Sequence, residues 1–188
     1  MKTITTTLKL FAILTVLVGI IYPVAVTIFA QLIFPKEAAG SLLQEPGGNI
    51  TGSTLIGQPF SDPKYFWSRP SATSGYPYNP MASGGSNLGP TNKDLLDQIS
   101  NRTELLKSSG IQTPVPSDLV EASASGLDPH ISVQSALIQI PRVFRARNLS
   151  EDILNKLVLE HIENRQFGFL GEQRINVLEL NLALDKMK

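Results

Sequence analysis

The 188-residue chain predicts an α+β protein, with one N-terminal transmembrane helix followed by a single mixed α/β extracytoplasmic domain. Three observations carry that expectation. Leu10 to Phe34 contains no charge, helical apolar spacing recurs in the segments after Asn92, Ser132 and Ser150, and strand-like runs are short and flanked by glycine. The expected boundaries are a cytoplasmic N-terminus over 1–9, the span over 10–34, a juxtamembrane linker over 35–50 and a soluble domain over 51–188. The domain is long enough to bury its own core. Net charge is zero and no basic stripe occurs, which argues against a nucleic-acid partner. The absence of cysteine excludes a disulfide framework and a thiolate metal site.

The span comes first. About 25 residues at 1.5 Å each make a helix of roughly 37 Å, against a hydrocarbon core of about 30 Å. About sixteen of them are Leu, Ile, Val or Phe, which together favour insertion by roughly 5–10 kcal/mol. Thr15 and Thr27 can return their hydroxyls to carbonyls one turn earlier. A cleavable signal peptide is the rival reading, but its apolar region is shorter, and here Leu32, Ile33 and Phe34 continue past any small-residue site. Gly19 and Pro23 mark either a tolerated kink or a close-packed contact with partner helices. Lys2, Lys9 and the amino terminus precede the span, whereas Glu37 offsets Lys36. The positive-inside rule therefore puts the N-terminus in the cytoplasm and the domain outside.

In the domain, Gly52 to Gln58 reads as a brief strand, and Lys64-Tyr65-Phe66-Trp67 as an aromatic packing cluster, with Arg69 stacking as a weaker option. Ser71 to Pro90 is almost all Ser, Gly, Pro, Asn and Tyr; a loop of about twenty residues is usually functional or disordered. Tyr76 and Tyr78 argue against pure disorder, since each offers a large ring and a polar tip for docking. Within it, Ser83, Gly84, Gly85, Ser86 and Asn87 offer converging amides and hydroxyls, the chemistry of a phosphate cradle and equally of a tight turn. No Walker lysine accompanies them.

A helix capped by Asn92 follows, with Leu95, Leu96, Ile99, Leu105 and Leu106 on one apolar face and Gly110 as its stop. Ser117 is expected to cap a short turn over Asp118 to Ala122. Ser132 caps the next helix, with Val133, Ala136, Leu137, Ile140 and Phe144 inward and Arg142, Arg145 and Arg147 at its polar end. Pro141 should kink it or divide it. Ser150 starts a further helix with Ile153, Leu154, Leu157, Val158, His161 and Ile162 inward, ending near Gly168. From Arg174 to Leu184 the apolar phase changes after Val177, as in a bulged strand or a strand running into a helical turn. Asp128 and His130 could form a metal or acid–base pair, although two histidines without ligand spacing more often mean a capped loop and a packed helix. No nucleophile elbow, metalloprotease helix or Ser-x-x-Lys occurs, so no catalytic residue and no metal ligand is assigned.

Taken in order, Gly-Ser-x-Leu-Ile-Gly-Gln (52–58), Tyr-Phe-x-x-Arg-Pro-Ser-Ala (65–72), Ser-Gly-Gly-Ser-Asn-Leu-Gly-Pro (83–90) and Ser-Gly-Leu-Asp-Pro-His-Ile (125–131) form a specific series. With Arg142-Val143, Ala146-Arg147 and Asn176 to Asn181, it resembles the C subunit of the Kdp potassium-transporting P-type ATPase. The resemblance implies a bacterial inner-membrane pump. Its other parts would be a potassium-channel-like translocating subunit, an ATP-hydrolysing P-type subunit and a small membrane subunit. It further implies a catalytic chaperone that raises the ATP affinity of the hydrolysing subunit, with ATP shared at Ser83 to Asn87. An outward-facing domain and direct ATP contact conflict, since ATP lies inside. The residues alone leave open a stand-alone membrane-anchored binding module or hydrolase using Asp128, His130 and the 71–90 loop.

Overall fold

The computed structural model describes residues 2–44, 47–111 and 114–187. Glu45 and Pro46 of the expected linker, Gln112 and Thr113, and the final Lys188 lie outside the described residues, as does Met1. The chain divides into two compact units, Met1–Thr51 and Gly52–Lys188.

The first unit is dominated by a continuous helix over Lys2–Ile33, long and apolar enough to cross a membrane and with no buried residue in its apolar stretch. It is α1 (Lys2–Val16), a π-helical turn over Leu17–Ile21, and α2 (Tyr22–Ile33). The wide turn has a local cause. Pro23 has no amide to give the Gly19 carbonyl, and the Tyr22 amide reaches five residues back to Leu17. Gly19 and Pro23 are thus absorbed without ending the helix. Thr27 donates to the Pro23 carbonyl at 2.8 Å, as expected. Thr15 makes no such bond among the described residues. The region after the helix is not a featureless linker. It holds α3 (Pro35–Ala38) and a two-stranded sheet of β1 (Leu42–Gln44) and β2 (Ile50–Ser53). The strand expected at 52–58 therefore lies earlier, and Thr54 to Ile56 form a turn.

The second unit is mixed. Its helices are α4 (Lys93–Ser108), α5 (Val133–Leu137), α6 (Ile140–Arg147), α7 (Glu151–Glu160) and α8 (Val177–Asp185). Strands β3 (His130–Ser132), β4 (Ile162–Glu163) and β5 (Arg174–Asn176) form an antiparallel sheet with β5 central. Ile131 and Ile162 both face Ile175 across it. The core gathers Phe66, Val143, Leu154, Val158, Ile175 and Leu180.

Asn92, Ser132 and Ser150 cap α4, α5 and α7 with their side chains, as their sequence contexts predict. Ser117 does not cap. It lies inside a 3₁₀ turn over Ser117–Leu119, and the neighbouring Asp118 accepts instead from the Ser132 amide at 2.7 Å. Pro141 divides its helix, sitting in the first turn of α6 where a missing amide costs nothing. The break shifts the phase: Gln139, Arg142 and Val143 turn inward, whereas Phe144 is exposed. Arg142 therefore belongs to the core and not to a polar end. On α4 only Leu106 is buried, while Leu96 and Leu105 stay more than half exposed because each lies one residue off the inward stripe. Helix α7 ends at Glu160, so His161 sits at its C-cap, Ile162 enters β4, and Ile153 is exposed. The phase change after Val177 marks a strand-to-helix junction, where Asn176 accepts from the Glu179 amide and caps α8.

Candidate functional site

The two polar loops that lie far apart in sequence pack against one another. Ser71 donates to the Gly126 carbonyl at 2.7 Å, and the Gly84 amide and Ser83 hydroxyl both donate to the Ser125 carbonyl, at 2.8 and 3.0 Å. Glycine is needed at 126. Its φ is +68°, and a Cβ there would lie 2.7 Å from the Gly84 carbonyl oxygen and 2.5 Å from the Thr73 methyl. Tyr78 anchors the loop from within: it is buried, its amide donates to Ser71 Oγ at 2.9 Å and its hydroxyl donates to the Arg69 carbonyl. Burial pushes its phenol up to about 12. Tyr76 stays exposed. The long loop is thus held by hydroxyl and backbone bonds in place of regular structure.

This arrangement divides the expected cradle. Ser83 and Gly84 are committed to Ser125, and Gly85 lies close to Ala124. Beyond them, the amides of Gly85, Ser86 and Asn87 have no partner among the described residues, and Asn87 takes the left-handed φ of +54°. Ser86 and Asn87 are exposed. Three successive open amides, the last on a left-handed residue, are suited to an anion's oxygens. No lysine or arginine occurs between Arg69 and Lys93 to add charge.

Asp128 and His130 join a longer line of charges. Arg69 Nη1 lies 3.1 Å from Asp128 Oδ2, and His130 Nδ1 lies 3.5 Å from Asp128 Oδ1. On its other side, His130 Nε2 is 3.3 Å from Glu163 Oε1, whose second oxygen meets Arg174 Nε at 2.9 Å. Burial pushes the Asp128 carboxyl up, but hydrogen bonds from the His130 ring, its backbone amide and Arg69 outweigh that and hold it below the ordinary range. Arg69 is therefore an ion-pair partner and does not stack. Glu163 and Arg174 could not be linked to His130 by spacing, because the hairpin joining them reads in sequence as the end of a helix. His161 is elsewhere, with Nδ1 at 2.8 Å from the Leu157 carbonyl oxygen. No group of three metal-binding side chains converges among the described residues.

A second feature surrounds the aromatic cluster. Arg142 stacks over Trp67 at 4.0 Å and donates to the Pro63 carbonyl at 2.6 Å; burial pulls its pKa down to about 10. Beside it lies a cavity of about 490 Å³, lined by Phe60, Trp67, Arg102, Leu105, Leu106 and Leu119 among others. Its lining includes no residue of either polar loop.

Residues 4–186 match the family model described as "KdpC: K+-transporting ATPase, c chain". Among curated proteins, the chain is 55% identical to the potassium-transporting ATPase KdpC subunit of Geobacter metallireducens, covering 100% of this chain and 99% of that one. It is 56% identical to the subunit of the same name from Geobacter sulfurreducens, with the same coverage. The Methylococcus capsulatus subunit is 56% identical over 93% of this chain and 92% of its own length.

The chain belongs to the KdpC family of K+-transporting ATPase c chains.

As a KdpC-family chain it is a subunit of a potassium-transporting ATPase and works in complex with other Kdp subunits. That assignment fits the site's geometry. The interlocked loops carry the family-resembling motifs 83–90 and 125–131, so their first role in the structure is to hold one another. In the first unit, Gly19 has no neighbour that requires it: a Cβ there would meet no atom within 4 Å.

Proposed function

We propose that this KdpC-family chain is the accessory, non-catalytic subunit of a high-affinity, ATP-driven P-type potassium uptake pump in a bacterial inner membrane. Its helix docks beside the channel-like translocating subunit, and its domain lies on the extracytoplasmic side. There it stabilises the assembly with the ATP-hydrolysing and small membrane subunits and shapes ion entry. The full-length family match together with the exposed apolar Lys2–Ile33 helix carries this reading. Lys2 and Lys9 before the helix support the outward placement, and the unfilled space beside Gly19 supports helix packing. Deleting the chain should abolish high-affinity potassium uptake, and a tagged chain purified in mild detergent should bring the large membrane subunits with it. Normal uptake without the chain, or purification alone, would refute the reading.

A second reading rests on the open amides of Gly85, Ser86 and Asn87. There, ATP phosphate would share the loop with the hydrolysing subunit, and the chain would act as a catalytic chaperone that raises ATP affinity. This requires the loop to face the cytoplasm. The cation pattern opposes it, and so does the commitment of Ser83 and Gly84 to Ser125.

A further inference from the structure

The turn between β4 and β5 presents an apolar tip. Phe167 is 87% exposed, Phe169 71% and Leu170 47%. The tip is nonetheless well formed. Gln166 and Leu170 exchange both backbone bonds at 2.9 Å, and the Phe169 amide donates to the Gln166 carbonyl at 3.3 Å. The two central residues both have positive φ, +54° at Phe167 and +83° at Gly168. That is the sign combination of a type I′ turn, in which Asn-Gly is favoured. A phenylalanine in the left-handed region is strained, and here its ring finds no burial in return. The side chain at 167 therefore serves something other than the folding of this chain.

Charge narrows what that is. From Asn164 to Gln173 the charged side chains are Arg165 and Glu172, which pair with each other. The flanking Arg174 is paired with Glu163. A tip that settles on an anionic leaflet gains chiefly from free Lys and Arg near the surface, and this one has none. An uncharged apolar pocket on a protein matches it better. Two aromatic side chains on a preformed turn are the usual anchors of such a contact, since little order has to be imposed on binding.

We infer that Phe167, Phe169 and Leu170 form a plug that seats in an uncharged apolar pocket of another subunit of the transport complex. This rests on the accessory-subunit reading above. The test places a photoreactive phenylalanine analogue at position 169 of the full chain, co-produced with the other pump subunits. Ultraviolet irradiation should join it to one of those subunits. Attachment only to lipid, only to a second copy of this chain, or to nothing although the complex co-purifies would overturn the inference. A second variant separates docking from folding. Phe167→Asn suits the turn, so the denaturation midpoint should hold or rise, while recovery of the complex falls by roughly tenfold in affinity, the loss of one aromatic anchor. A lowered midpoint with unchanged recovery would make Phe167 structural and overturn the plug. If the unmodified chain recovers no partner, the accessory-subunit reading itself fails. If it recovers partners and only the tip results are negative, the plug alone fails.

Discussion

Two irregular segments of the same domain treat their backbone polar groups in opposite ways. Between Pro63 and Trp67, side chains from the helices meet the chain almost group by group. Asn181 accepts from the Phe66 amide and donates to its carbonyl, both at 2.9 Å, and Gln139 does the same for Trp67 at 2.7 and 3.2 Å. Arg142 and Arg147 take the Pro63 and Lys64 carbonyls. Two amide side chains thus act as the missing neighbouring strand for a segment that sends Phe66 into the core. Between Ser83 and Asn87, by contrast, the amides of Gly85, Ser86 and Asn87 have no partner among the described residues, and the Ser86 hydroxyl accepts only a long bond of 3.5 Å from the Leu88 amide. The first segment is irregular and structural. The second is irregular and available.

The contrast predicts a descending series of effects. Asn181→Ala leaves both buried polar groups of Phe66 unpaired and should cost about 3 kcal/mol by denaturant titration; a loss below about 1 kcal/mol would mean that the clamp is incidental.

Tyr78→Phe, at the root of the open loop, should cost about 1 kcal/mol at neutral pH. It should also change the alkaline limb. Since the folded phenol titrates near 12, above its ordinary value, the unfolded chain ionises first. The wild-type domain then loses stability as pH rises from about 10 towards 12, by up to about 3 kcal/mol. The variant should show a flatter limb over that window, and an identical limb would contradict the burial argument.

Asp128→Asn should cost about 0.5–1 kcal/mol near neutrality, as a partly exposed ion pair does. The folded carboxyl is held below its ordinary value, so its contribution is present above that value and is lost as pH falls through the folded one. The variant should therefore lose less stability on acidification; unchanged acid sensitivity would remove Asp128 from the account.

Ser86→Ala and Asn87→Gly should each change stability by less than about 0.5 kcal/mol. A cost above about 1.5 kcal/mol for either would show the open loop to be as structural as the clamp.

Much of this was legible in the sequence, and the exceptions share a cause. The apolar helix, the caps at Asn92, Ser132 and Ser150, and the division at Pro141 rest on local chemistry, which spacing reports directly. Sequence also registered the junction after Val177 as a change of apolar phase. The hairpins escaped because β1 and β4 are too short to show alternation, and the pairing of β5, whose strand character was visible, depends on distant partners. Arg142 was misplaced because the break before α6 rotates the inward face by a residue that no spacing rule supplies. Gln139 and Asn181 went unnoticed for a related reason. A polar residue on a helix reads as a solvated face unless the segment whose backbone it satisfies is already in view. At the candidate site, the residue types of 83–87 were visible, but not that Ser125 would claim two of their donors.

The measurement that bears most directly on the account is the side of the membrane on which the open loop lies. A single cysteine at Ser86, in a chain that has none of its own, can be probed with a membrane-impermeant thiol reagent in outer-membrane-permeabilised cells. The account predicts labelling with the inner membrane intact. Protection until that membrane is opened, with full labelling of the denatured chain, would contradict it and place the open amides on the side where ATP is found.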